Sequence, residues 1–183
     1  NSVLTSYNTL EDVNNLIKDV KLPDAFKNYL NWACKDCNPK NISVLGKIKD
    51  QAQCGSCWDF GTTCGLESKI VMDQIDNNIP YDKIYVSLAE QYVLDKSNSN
   101  SGCNGGLFDY AITDIEKIGD IPTEVCSYQA TAKSCNKINS EDYIIPKNDN
   151  ELKATVLNLW EIQSRRINIK LTNNDVKTLL FKY

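Results

Sequence analysis

The sequence predicts an α+β chain that is mostly helical, and three observations carry that expectation. Apolar residues recur at three- and four-residue spacing after Thr9 (Val13, Leu16, Ile17, Val20) and again through Leu107, Ala111, Ile115 and Ile118, as on the buried stripe of a helix. Ile167, Ile169 and Leu171 alternate with Asn168, Lys170 and Thr172, as in a half-buried strand. Of the 183 residues, 42% are apolar and 24% charged, a globular composition long enough for one core or two small lobes.

Each element follows from local chemistry. Thr9-Leu10-Glu11-Asp12 supplies an N-cap and an acidic first turn for the first helix, and Pro23 closes it. Residues 31–50 read as irregular, with Asn38-Pro39 and Gly46 as breakers, until Cys57-Trp58 opens a helix running to about Met72 whose buried face is Phe60, Leu66, Ile70 and Val71. A short helix covers Leu88 to Asp95, and the polar run from Ser97 to Gly102 reads as an exposed turn. The stripe from Leu107 stops at Gly119, residues 120–150 are loop-rich, and Glu151 to Trp160 form a last helix before the alternating strand.

Composition narrows function by exclusion. Twenty Lys and Arg against 24 Asp and Glu give a net charge of −4 with the basic residues scattered apart from Arg165-Arg166, so nucleic acid is not an expected partner. No apolar run approaches the roughly 18 residues of a membrane span, so neither is a membrane. The first residue is Asn1, with no apolar signal segment behind it, so a processed or incomplete chain is expected. Eight cysteines favour an oxidising compartment or a metal site. The chain contains no histidine, which removes the commonest general base and the commonest zinc nitrogen ligand together.

Spacing alone leaves the cysteines open to two readings. Cys34, Cys37, Cys54 and Cys57 fit the C-x₂-C-x₁₅₋₂₀-C-x₂-C pattern of a four-thiolate structural zinc module. Alternatively, some are half-cystines of a secreted domain. Asn41-Ile42-Ser43 is the only N-glycosylation sequon and agrees with secretion.

The residues around the second pair are more specific. Cys54-Gly55-Ser56-Cys57-Trp58 carries the signature around the nucleophile of papain-like, or cathepsin-like, cysteine peptidases. Leu88-Ala89-Glu90-Gln91 and Gly102-Cys103-Asn104-Gly105-Gly106 resemble two further blocks of that family in the same order. The resemblance covers residues 22–160, the family's mostly helical left lobe with only the start of the β-rich right lobe. It leaves residues 1–21 as a propeptide remnant and 161–183 as a divergent or unrelated tail.

The resemblance implies a thiol-dependent peptide-bond hydrolase without a cofactor or metal, secreted or lysosomal/vacuolar, acting on peptide or protein substrates and open to protease inhibitors. Cys57 aligns with the nucleophile, at a helix start where the backbone dipole favours a thiolate. Gln51 aligns with the side-chain donor of the oxyanion hole, and the Cys57 backbone N–H is the second donor. Trp58 aligns with a packing residue beside the nucleophile.

Gly55, Gly105 and Gly106 align with cleft-lining glycines, Leu107 and Phe108 with part of a substrate-pocket wall, although the helical stripe gives Leu107 core packing as its main task. The family pairs the cysteines aligned with Cys54 and Cys103. Its second bridge would join the position of Lys96 to Cys135, so Cys135 lacks that partner, and Cys126 or the Cys34–Cys37 pair is left to substitute. Cys64 is expected to be a buried small hydrophobe. Asp59, where the family has alanine, would oppose a thiolate at Cys57, and Ala89 replaces a capping serine for which Ser87 would compensate.

The family's histidine and asparagine are expected about 130–150 residues after the nucleophile, no earlier than about position 187. A helix dipole contributes about 0.3–1 kcal/mol, less than the about 1.36 kcal/mol that moves a pKa by one unit, so it cannot replace an imidazole. The expectation is therefore a family member that is catalytically incomplete as this chain, with a non-catalytic peptide- or inhibitor-binding homologue as the alternative.

Overall fold

The computed structural model describes residues 4–80, 84–132, 135, 152–153 and 164–182. They fall into two compact units, one formed by Asn1–Ser43 with Gln163–Tyr183 and the other by Val44–Ile162.

In the first unit, strand β1 (Leu4–Tyr7) is followed by helices α1 (Leu10–Ile17) and α2 (Asp24–Lys27) and a short 3₁₀ turn at Lys35–Cys37. The unit is completed by β4 (Ser164–Ile167) and α6 (Asn173–Lys182). β1 and β4 pair in parallel, Leu4 opposite Ser164 and Tyr7 opposite Ile167. α1 begins with a capping box: Thr9 Oγ1 accepts from Asp12 N–H at 3.1 Å while Asp12 Oδ2 accepts from Thr9 N–H at 3.0 Å. Asp12 is thereby held below the usual carboxylate range, first by the Thr9 bond.

α6 carries the same device. Thr172 Oγ1 accepts from Asp175 N–H at 3.2 Å, and Asp175 Oδ2 accepts from Thr172 N–H at 3.0 Å. Phe181 meets Phe26 at 6.0 Å between ring centroids, and Trp32 Nε1–H donates to the Leu180 carbonyl at 2.9 Å. Thr172→Ala is expected to cost about 1 kcal/mol of the first unit's stability, read as faster amide exchange in α6 with exchange in α3 unchanged.

This helix corrects the sequence reading of the tail. Only Ile167 of the alternating residues lies in a strand, and Ile169 and Leu171 belong to the connection to α6. The helix expected over Glu151 to Trp160 lies outside the described residues except at Leu152–Lys153, which form β3 and pair in parallel with β2 (Ile84–Tyr85).

The second unit is built on α3 (Cys57–Asp76), α4 (Glu90–Lys96) and α5 (Phe108–Ile118). Trp58, Val93, Leu94, Ala111, Ile115 and Cys54 form one apolar cluster, and Ala89, Tyr92, Ile121, Cys126 and Cys135 form a second. α3 runs one turn past Met72, and its inward face is more polar than the sequence reading had it: Trp58, Asp59, Thr62, Thr63, Glu67 and Ile70 are buried, whereas Phe60, Leu66 and Val71 are only partly so.

Burying Glu67 is tolerable because it is paired. Lys49 Nζ lies 2.7 Å from Glu67 Oε1 and 2.5 Å from Glu90 Oε1, and Leu88 N–H donates to Glu67 Oε1 at 2.6 Å, so one ammonium ties α3 to the start of α4. Burial alone would lower the Lys49 pKa, but the two carboxylates outweigh it and the net shift is upward. Ala89 at the α4 N-cap has no side-chain capping bond, and Ser87 does not replace it: its hydroxyl lies 2.9 Å from that of Thr123. α5 ends on Gly119 at φ +68°, a conformation that other residues adopt at a cost.

Candidate functional site

Cys57 is the first residue of α3, with Ser56 before it, and its thiol is free and exposed. Two loops frame it. The loop 51–56 is drawn to the loop 102–106 by the Cys54–Cys103 disulfide and by Gly55 N–H donating to the Cys103 carbonyl at 2.9 Å. A Cβ on Gly55 would stand 2.5 Å from that carbonyl oxygen, so only glycine lets the loops approach this closely.

Gly105 takes φ +109°, and a Cβ on Gly106 would stand 2.8 Å from Trp58 Cγ. Trp58 is 1% exposed, and its Nε1–H donates to the Gly102 carbonyl at 3.1 Å, fastening the glycine loop over the start of α3.

Gln51 belongs to the same framework. Its Nε2 donates to the Cys54 carbonyl at 3.0 Å, and an amide nitrogen keeps a second N–H beyond that bond. The Gln51 carbonyl accepts from the Tyr128 hydroxyl at 3.0 Å, and that hydroxyl lies 2.7 Å from Ser56 Oγ. The Tyr128 ring stands edge-on to Phe60 at 4.8 Å. One tyrosine thus connects both ends of the 51–56 loop to α3, a role that no spacing pattern in residues 120–150 announced.

The far side of the glycine loop is held by a carboxylate. Asp114 on α5 accepts from the Ser97 hydroxyl at 2.6 Å, the Ser99 backbone N–H at 3.0 Å and the Ser99 hydroxyl at 2.8 Å. Asn100 in turn donates to Ser97 Oγ at 3.2 Å and accepts from Leu107 N–H at 2.7 Å. Burial pushes the Asp114 pKa up, but the serine bonds more than offset it and the net shift is downward. The Ser- and Asn-rich run read as a turn is therefore an ordered strap.

Two residues, Leu107 and Cys64, depart from expectation. Leu107 is 57% exposed and caps α5 rather than packing in the core; the buried stripe begins at Ala111. Phe108 is also exposed, with its ring over Gly61 of α3, where a Cβ would stand 2.6 Å from Phe108 Cε1. Cys64 is a free, exposed thiol and not a buried one. The cause is angular: on α3 the core-facing positions are those of Trp58, Thr62 and Ile70, and position 64 turns outward with Cys57 and Gly61.

Asp59 is fully buried and faces away from solvent. Its Oδ1 accepts from Thr63 Oγ1 at 3.1 Å, and its Oδ2 has no partner. Burial, reinforced by the nearby Asp120 charge, pushes its carboxyl well above the ordinary range. This shift works against the opposition to a thiolate at Cys57 expected of an ionised Asp59.

The four-thiolate arrangement is not assembled. Cys34 is bonded to Cys37, Cys54 to Cys103 and Cys126 to Cys135, which leaves Cys57 alone of the four zinc candidates with a free sulfur. Among the described residues no group of cysteine and acidic side chains could hold a metal ion. Cys126 thus takes the place of the partner that Cys135 lacks at Lys96.

The helical second unit, with its disulfide-braced loops, has the architecture of the left lobe of the papain fold. The chain belongs to the papain family of cysteine proteases, whose family model matches residues 33–176. It is 40% identical over 106 residues to cysteine proteinase COT44 of Brassica napus, covering 56% of this chain and 29% of that protein. It is 33% identical over 148 residues to a low-temperature-induced cysteine proteinase of Solanum lycopersicum, covering 74% of this chain and 38% of that protein. The chain therefore spans well under half the length of these curated relatives. Among solved structures, digestive procathepsin L2 proteinase from Tenebrio molitor matches with a TM-score of 0.53 at 24% identity, over 70% of this chain and 35% of that one, a likeness of fold.

Proposed function

We propose that this chain carries the nucleophile half of a papain-family peptidase acting on peptide or protein substrates. The observation that supports it best is an exposed, unbonded Cys57 at the start of α3, between two loops held together by the Cys54–Cys103 bridge. In this reading the Cys57 thiolate attacks the scissile carbonyl carbon. The negative charge that develops on the carbonyl oxygen is met by the Cys57 backbone N–H and the second N–H of Gln51. Gly55, Gly105 and Gly106 leave room for an extended peptide backbone, while exposed Leu107 and Phe108 offer one apolar wall to a substrate side chain.

The 183 residues hold no histidine, so the base that ionises the thiol and the acid that protonates the leaving amine must come from outside this sequence. Alone, the chain holds a groove and a nucleophile without turnover. Its three disulfides and the exposed Asn41 of the sequon agree with a secreted or lysosomal/vacuolar setting. Among the described residues no helix is long and apolar enough to cross a membrane.

The test is chemical. Incubated with a peptidyl epoxide, the chain alone is expected to label Cys57 within about tenfold of the rate at Cys64, since neither thiol has an imidazole partner. Labelling at Cys57 faster by a factor of about 1000 would show an activated nucleophile and overturn the incomplete-site reading. Failure of a proteinaceous inhibitor of papain-like enzymes to bind would remove the groove itself.

A further inference from the structure

The Cys34–Cys37 bridge lies in the first unit and differs from the other two in ways that bear on its chemistry. It spans a sequence separation of 3, against 49 for Cys54–Cys103 and 9 for Cys126–Cys135. Cys126 and Cys135 are 2% and 6% exposed, whereas Cys34, Cys37 and Cys103 are each half-buried, and Lys35 and Asp36 stand in solvent between the first two. Disulfide exchange needs a thiolate to reach a sulfur, so access sets the first pair apart from Cys126–Cys135. Loop closure constrains an unfolded chain less when the loop is short, by on the order of 60-fold between separations of 3 and 49 and about fivefold between 3 and 9.

Low reducibility cost alone would make an incidental bridge. The second observation is that the turn is held by bonds that involve no sulfur. Cys34 N–H donates to the Asn31 carbonyl at 3.2 Å, Cys37 N–H to the Cys34 carbonyl at 3.1 Å, and Asn31 N–H to the Cys37 carbonyl at 3.0 Å. Asn38, 1% exposed, donates through Nδ2 to the carbonyls of Cys34 at 2.7 Å and Ile42 at 2.6 Å. With these bonds in place the two Cα atoms of the bridge stand 5.2 Å apart, inside the range a disulfide spans.

We propose that Cys34 and Cys37 form a reversible dithiol–disulfide couple, a thiol-exchange site for dithiol reductants that is separate from the nucleophile Cys57. One thiolate of the reductant attacks one sulfur of the bridge, forming a mixed disulfide and releasing the other cysteine as a thiolate. The reductant's second thiol then displaces the remaining cysteine, leaving two protein thiols and an oxidised cyclic reductant. Two electrons have moved to the protein, and the reverse sequence with an oxidised dithiol restores the bridge.

The full chain is titrated with dithiothreitol, thiols are trapped by alkylation at each step, and cysteines are assigned by peptide mass. Cys34 and Cys37 are expected to label together at least tenfold below the reductant concentration that opens Cys54–Cys103 or Cys126–Cys135. On transfer to oxidised dithiothreitol they re-form the same bond. Labelling of Cys54 and Cys103 first, or in parallel, would overturn the proposal, as would re-closure onto Cys57 or Cys64. Asn38→Ala is expected to slow re-closure about tenfold. Because burial of Asn38 puts folding of that variant at risk, the titration of the unaltered chain decides the matter by itself.

Discussion

Cys54→Ala combined with Cys103→Ala is expected to cost the second unit about 4 kcal/mol, the chain-entropy value for a loop of this size. The bridge closes a loop with a sequence separation of 49, and Cys54 is 2% exposed within the same apolar cluster as Trp58 and Ile115. The loss should be local in its first effect. Once the covalent tie is gone, the Gly55 N–H bond to the Cys103 carbonyl, the Trp58 Nε1–H bond to the Gly102 carbonyl and the packing of Gly106 on Trp58 still hold the glycine loop to the start of α3. Amide exchange at the start of α3 should accelerate by on the order of a hundredfold or more, since every 1.4 kcal/mol is a factor of about ten. Exchange in α1 and α6 should not change. An urea midpoint indistinguishable from that of the unaltered chain would show that the loops are held by packing instead.

Stability of the second unit is expected to fall as pH rises from about 4 towards neutrality, and Asp59→Asn should remove much of that fall. Asp59 and Asp120 are both fully buried, and each has one carboxyl oxygen without a partner. Burial pushes both upward; Asp120 charge adds to the effect at Asp59, while at Asp120 the Ile121 N–H bond opposes it and the charges of Glu90 and Glu67 reinforce it. Lys49 is the cation that faces this group, and it is already engaged by Glu67 and Glu90.

The sign follows from proton counting. The unfolded chain releases these protons near about pH 3.9 and the folded chain holds them to higher pH, so the folded state is favoured fully below that value and loses ground above it. Asp114 acts in the opposite direction and in another window: its lowered pKa gives stability that is lost only as pH falls below about 3.9. Asn at position 59 keeps the oxygen that accepts from Thr63 and cannot ionise. Relative to the unaltered chain, the variant is expected to be more stable at pH 7 than at pH 3 in denaturant titrations at the two pH values. Equal effects at both would show that the carboxyl is not held neutral.

The helices α1, α3 and α5 were legible because their signals are local. Thr9 with Asp12, the stripe of Ala111 and Ile115, and Gly119 at a positive φ each act within a turn or two of chain. The position of Cys57 at a helix start was legible for the same reason. α6 carried an equally local signal, Thr172 three residues before Asp175, but the alternation of Ile167, Ile169 and Leu171 suggested that the strand continued into it.

What could not be read was pairing at long range between polar groups. Tyr128 reaches Gln51 and Ser56, Lys49 gathers Glu67 and Glu90, and Asp114 collects Ser97 and Ser99; in each case the residue type allows surface exposure equally well. Asp59 was read only as a charge beside Cys57, and its burial went unseen because the helix face it occupies, the core face, is set by long-range packing.

The parallel ladder between Leu4–Tyr7 and Ser164–Ile167 sets an order of events during biosynthesis. A ribosome adding about 5–20 residues per second needs roughly 8–30 s to extend the chain from one strand to its partner. Throughout that interval β1 has no strand partner, while the whole of Val44–Ile162 is being made. The discontinuous unit can close its ladder only after the continuous one has left the ribosome's active site, and until then the edge groups of β1 stay unpaired.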